Sequence, residues 1–145
     1  VTQGFRYHMS NINAAIGLAQ LRKVEQFISR RREICRRYDE AFRIEPNIKL
    51  LHVDYTTVAP HIYVIRVKNS LRDPLKQYLK EQDIETGISY IPNHFHTFYK
   101  QNGLSLPETE KAYKEILTLP LHYKLSNSDV DRVIACTHEF LSQKK

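Results

Sequence analysis

HIYVIRV, residues 61–67, is the stretch on which the fold turns. Its β-branched and aromatic side chains, bounded by Pro60 and Asn69, predict a strand. A strand here makes the chain α+β, because helical patterns lie on both sides of it. Two further β-rich runs, Ile48 to Val53 and Ile84 to Ile91, predict neighbouring strands, the second ended by Pro92.

Helix signals surround these runs. Asp73-Pro74 reads as a cap followed by proline at the first helical position, with Leu75, Tyr78 and Leu79 on the buried face. Pro107 opens a short helix carrying Ala112, Tyr113 and Ile116. Ser126 and Asp129 form a capping-box pattern ahead of Val130, Val133, Ile134, Phe140 and Leu141. At the other end Ser10 caps a helix with Ile12, Ala15, Ile16 and Ala19 at helical spacing, kept thin by Ala14 and Gly17. A second stripe runs from Val24 through Phe27, Ile28, Ile34, Cys35, Tyr38, Ala41 and Phe42, interrupted by Arg31 and ending before Pro46. The expected architecture is a long N-terminal helical element, then a small sheet with helices packed on one side.

The bulk numbers fit one globular domain: 145 residues, 41% hydrophobic and 26% charged. No apolar run approaches the roughly 20 residues of a membrane span. Cys35 and Cys136 fall on apolar helical faces and read as reduced core residues, which suits a cytoplasmic setting. The net charge of +6 owes much to Arg30-Arg31-Arg32 and Arg36-Arg37. A basic helix face of this kind is more often a solvated surface than a nucleic-acid reader. The rival reading is a non-catalytic binding module whose basic segments contact an acidic partner or nucleic acid.

The inventory for chemistry is short. Glycines at 4, 17, 87 and 103 are too scattered for a phosphate loop. His94 and His96, in IPNHFHTFY, are a weak metal signal without a third ligand. His52, His122 and His138 read as ordinary surface or half-buried residues. Two segments are unusually furnished: Phe5, Arg6, Tyr7 and His8 crowd a helix entrance, and Tyr90-Ile91-Pro92-Asn93-His94 places a phenol and an imidazole on a turn after a strand. Aromatic and imidazole groups on such turns commonly line ligand pockets.

Taken together, GFRYHMSNINAAIGLAQL (4–21), RRREICRRYDEAF (30–42), HIYVIRV, Ile84-Glu85-Thr86-Gly87, Tyr90-Ile91-Pro92-Asn93-His94 with Tyr99, and LPLHYKLSNSDVDRVI (119–134) resemble the C-terminal portion of one family. It is the DegT/DnrJ/EryC1/StrS family of pyridoxal-phosphate-dependent sugar aminotransferases, and the order and spacing agree over nearly the whole chain. The resemblance implies that residues 1–145 are the small C-terminal domain of a fold-type I aminotransferase, with an interface segment and helix over 1–45. It implies a large cofactor-binding domain upstream of Val1 carrying the Schiff-base lysine. It also implies a homodimer, and an amino group passed from glutamate to a nucleotide-linked keto-sugar.

The same resemblance assigns site residues. The opening segment of the family reaches into the partner's active site, so Arg6 and His8 are expected at the cofactor phosphate. The family most often has Asn and Arg where this chain has Arg6 and His8. Residues two apart in an extended segment point the same way, so Arg6 can carry the displaced charge. Tyr90 and His94 match the family's Tyr-x-Pro-x-His segment and are expected to border the sugar. No lysine of this chain sits in a matching cofactor motif, so the chain alone is expected to lack transaminase activity.

Overall fold

The computed structural model describes residues 4–5, 7–100 and 103–144. Its centre is the HIYVIRV strand, observed as β2 (Tyr63–Val67). It pairs antiparallel with β1 (Ile48–Lys49) on one side and β3 (Ile116–Leu119) on the other, giving the order β1-β2-β3. Around the sheet lie α1 (Asn11–Leu21), α2 (Val24–Phe42), α3 (Arg72–Glu81), α4 (Pro107–Glu115) and α5 (Asn127–Ser142).

The alternation of β2 explains how the layers meet. Tyr63, Ile65 and Val67 are buried, and with Leu117 and Leu119 of β3 they join Ile34, Tyr38 and Phe42 of α2, Leu75 and Leu79 of α3, and Val130, Val133, Phe140 and Leu141 of α5 in one core. The alternate residues Val64 and Arg66 are half-buried, and Arg66 pairs with Glu115 at the end of α4 at 2.7 Å. The expected α+β architecture is therefore observed. The Ser126–Asp129 capping box, Pro107 at a helix start and the Ser10 cap also stand as expected.

Several expectations need correction. The run Ile48 to Val53 is a strand only over Ile48–Lys49. Beyond it the chain reverses at Asp54, whose side chain accepts from the Thr56 backbone N–H at 2.8 Å and its hydroxyl at 2.7 Å, an Asx-type turn that competes with pairing. The run Ile84 to Ile91 is not a strand; only Gly87 bridges Thr118, through hydrogen bonds of 3.0 and 2.8 Å. The place expected for it beside β2 is held by β3, whose first residue, Ile116, was assigned to a helix by its spacing from Ala112. Helix α3 begins two residues earlier than expected. Leu71 is its N-cap, so Asp73 and Pro74 lie within the first turn. Proline is tolerated there because those N–H groups have no partner within the helix.

The basic cluster of α2 also finds a structural role. Arg32 donates to the carbonyls of Val58 (3.0 Å) and Thr56 (3.1 Å), and Arg30 donates to the carbonyl of Leu125 at 2.7 Å. Arg37 pairs with Asp131 of α5. These guanidinium groups tie the 54–58 turn and the start of α5 to α2, each satisfying carbonyls that no strand or helix takes.

Candidate functional site

The opening segment stands apart from the core. Phe5 and Tyr7 are 87% and 89% exposed, with ring centroids 6.3 Å apart. His8 is exposed as well. Arg6 lies outside the described residues. The Ser10 side chain accepts from the Asn13 backbone N–H at 3.2 Å and starts α1, which has no buried residue. Ile12, Ile16, Leu18 and Leu21 are all exposed. The helix is thin where small residues line it, and a Cβ at Gly17 would meet nothing within 4 Å.

The second segment is anchored. Tyr90 is 71% exposed, while His94, in a short 3₁₀ turn over Asn93–Phe95, is only 8% exposed. The Phe95 backbone N–H donates to Pro92 and that of His96 to Asn93, at 2.9 and 3.0 Å, so Pro92 and Asn93 hold the turn. The His94 ring packs on Phe95 at 4.4 Å between centroids, and Phe95 meets Tyr113 of α4 edge-on at 5.9 Å. His94 Nε2 faces Glu110 Oε1 at 3.3 Å. That same oxygen accepts from the Leu106 backbone N–H at 2.9 Å and from Ser105 Oγ at 3.2 Å. The Leu106 N–H foremost, with Ser105 and His94 behind it, holds the Glu110 carboxyl below the usual range, so it is ionised at neutral pH.

Among the described residues, no hydrogen bond or ring contact joins Phe5–Met9 to Tyr90–His94. Glu110 is the residue that sequence reasoning missed. Its signal was weak: an acid in the first turn after Pro107 is an ordinary helix-start feature, and nothing in its spacing points to a histidine sixteen residues earlier.

Other reactive groups are structural. Tyr63 Oη donates to Asp39 Oδ1 at 2.7 Å. Burial pushes the neighbouring Cys35 thiol up to about 12, which leaves it a thiol rather than a nucleophilic thiolate at neutral pH. Among the described residues, no group of three or more His, Cys, Asp or Glu side chains is placed to hold a metal ion. No described helix is long and apolar enough to cross a membrane.

A small antiparallel sheet under three packed helices, with a protruding apolar helix at one end and a histidine-bearing turn, is a fold this chain shares with aminotransferases. The aminotransferase TlmJ from Streptoalloteichus hindustanus is similar at 33% identity and TM-score 0.81, over 92% of this chain and 37% of its own. Spr1654 from Streptococcus pneumoniae, solved in apo, PMP and PLP forms, is 32% identical with TM-score 0.83, over 99% of this chain and 38% of its own. DesV of S. venezuelae, solved with a ketimine intermediate, is 25% identical with TM-score 0.86, over 97% of this chain and 38% of its own. The chain thus spans well under half the length of these relatives. The sequence pattern of the DegT/DnrJ/EryC1/StrS aminotransferase family matches residues 1–138, and the chain belongs to that family.

The donor set of the described residues can be tested against pyridoxal phosphate. An exposed imidazole at His8, two residues before a capped helix start, suits the edge of a phosphate site. The described lysines are all exposed or half-exposed.

Proposed function

We propose that residues 1–145 are the small C-terminal domain of a pyridoxal-phosphate-dependent sugar aminotransferase that works as a homodimer. The amino donor is glutamate and the acceptor a nucleotide-linked keto-sugar. The large domain, with the lysine that holds the cofactor, lies upstream of Val1. We place the enzyme in the cytoplasm, in keeping with the free thiols of Cys35 and Cys136.

The observation that carries this reading is the set of exposed apolar side chains of α1 in a chain whose family match includes that segment. Ile12, Ile16, Leu18 and Leu21 contribute nothing to this domain's core, so their burial must come from other protein surface. Packing of α1 against the partner carries Phe5 to His8 to the partner's cofactor. There His8, with Arg6, holds the phosphate as paired hydrogen-bond donors. Tyr90 offers an exposed phenol and His94 a fixed imidazole to the sugar. Pyridoxal phosphate, when bound, supplies the carrier that takes the amino group from one substrate and gives it to the other.

The test uses the parent protein from its natural start. It should absorb in the visible with cofactor bound, and borohydride reduction should label a lysine upstream of Val1. A parent that stays colourless with added cofactor would overturn the reading. The 145-residue chain alone should show no transaminase turnover, and robust turnover by it would sink the division of labour proposed here.

A further inference from the structure

His94 is the most deeply buried histidine described, and the way it is held has a consequence for its chemistry. A neutral imidazole has one N–H and one lone pair, and which nitrogen carries the proton is decided by the partner of each. Here Nε2 faces Glu110 Oε1, an ionised carboxylate that can only accept. Nδ1 has no hydrogen-bond partner among the described residues, and it is not one of the sealed, unpaired atoms there, which are Arg31 Nε, Glu45 Oε1, Arg72 Nε and Thr86 Oγ1.

We propose that Glu110 is a positioning residue for His94, keeping the proton on Nε2 so that Nδ1 is the ring's hydrogen-bond acceptor. The inference rests on the reading of His94 as a border of the sugar site, and it specifies that border: Nδ1 receives a hydroxyl hydrogen of the sugar. A histidine free to change tautomer would present a donor in part of the population, and a sugar hydroxyl would then meet either kind of group. The fixed tautomer orients the hydroxyl instead. Glu110 is well placed for this work because its own position is fixed twice over. Leu106 N–H and Ser105 Oγ hold the same oxygen that meets His94, and the Phe95 ring packs at a tilt against the imidazole.

Glu110 from α4 is the acid within reach of the ring, and His96 of the same turn is exposed.

The experiment is a long-range ¹H–¹⁵N spectrum of the 145-residue chain labelled at histidine, recorded for wild type and Glu110→Gln with the imidazole neutral. The wild-type neutral His94 ring should show the Nε2–H tautomer. In Glu110→Gln it should become a mixture of the two tautomers. A wild-type His94 protonated on Nδ1 overturns the proposal, as does a Glu110→Gln spectrum that matches wild type. If Glu110→Gln does not fold, the wild-type tautomer decides alone. In the parent enzyme Glu110→Gln should raise KM for the keto-sugar about tenfold, and Glu110→Asp should restore part of it. Failure of the sugar-site reading looks different. His94→Asn would then leave the sugar KM unchanged while the wild-type tautomer remained Nε2–H.

Discussion

Helices α1 and α2 follow one another with only Arg22 and Lys23 between them, yet they are opposites. By composition α1 is the more apolar, with Ile12, Ile16, Leu18 and Leu21 in 11 residues, but none of it is buried. By composition α2 is dominated by arginine and glutamate, yet Ile34, Cys35, Tyr38 and Phe42 are all fully buried. The difference is in the arrangement. The apolar residues of α2 fall on one face that the sheet and α5 can cover, and its charged residues reach loop carbonyls and acids at the rim. The apolar residues of α1 are spread around a thin cylinder, and the core is already filled by α2, α3 and α5. Hydrophobic content says that a helix will be buried; its pattern says whether its own domain does the burying.

The sharpest way to break this contrast is to truncate one isoleucine from each side of it. Ile65 sits in β2 with no exposure at all, and Ile65→Ala should cost about 3 kcal/mol through lost transfer and a residual cavity. Ile16→Ala, the same change on the exposed helix α1, should alter the unfolding of the chain by less than about 0.5 kcal/mol. Urea denaturation of both variants reads this directly. A cost for Ile16→Ala comparable to that of Ile65→Ala would mean that α1 packs on its own domain after all.

The same contrast shows what could be read from the sequence. Where local chemistry decides, the sequence was legible: Ser10, Pro107 and the Ser126–Asp129 pair mark helix starts through side chains that reach their own backbone. The central strand and the α2 stripe were legible because their periods match what they bury. The strands at Ile48–Val53 and Ile84–Ile91 were overdrawn because pairing is a non-local decision. Asp54 reverses the chain before residues 51–53 can pair, and only Gly87 of the second run reaches Thr118. Strand β3 was hidden because Ile116 continues the helical spacing of Ala112, although Leu117 and Leu119 alternate inward. Tyr90 and His94 stand as site candidates through a family pattern. Glu110 does not, because its partner is brought to it by the fold.

A second, smaller test compares two serines that do the same local job. Ser126 Oγ accepts from Asp129 N–H at 3.1 Å while Asp129 reaches back to the Ser126 N–H at 2.9 Å. Ser10 Oγ accepts from Asn13 N–H at 3.2 Å. Because α5 is packed into the core, Ser126→Ala should cost about 1 kcal/mol of global stability. Ser10→Ala should instead fray α1 and leave the global transition within about 0.5 kcal/mol of wild type, since local opening of an unpacked helix is already near zero in free energy. Equal shifts in the two denaturation midpoints would show that α1 and the core unfold as one unit.

The smallest effect is a pH dependence that only one of these helix starts can have. The Ser126 hydroxyl foremost, and then its backbone N–H, hold the Asp129 carboxyl below the usual range. A depressed pKa in the folded state means that the stability it brings is complete above the unfolded value of roughly 4 and is lost as pH falls through the lower, folded value. Asp39 runs the other way. Burial raises its pKa despite the Tyr63 hydrogen bond, so its contribution is complete at low pH and declines as pH rises through the raised value. The first turn of α1 holds no acid, so its cap does not titrate in this range. Urea midpoints followed from about pH 5 to about pH 3 should therefore fall less steeply in Asp129→Asn than in wild type. Parallel curves would show that the Asp129 carboxylate is not what acid removes, and that the loss of stability comes from other carboxylates such as Asp54, which the Thr56 hydroxyl and N–H hold low in the same way.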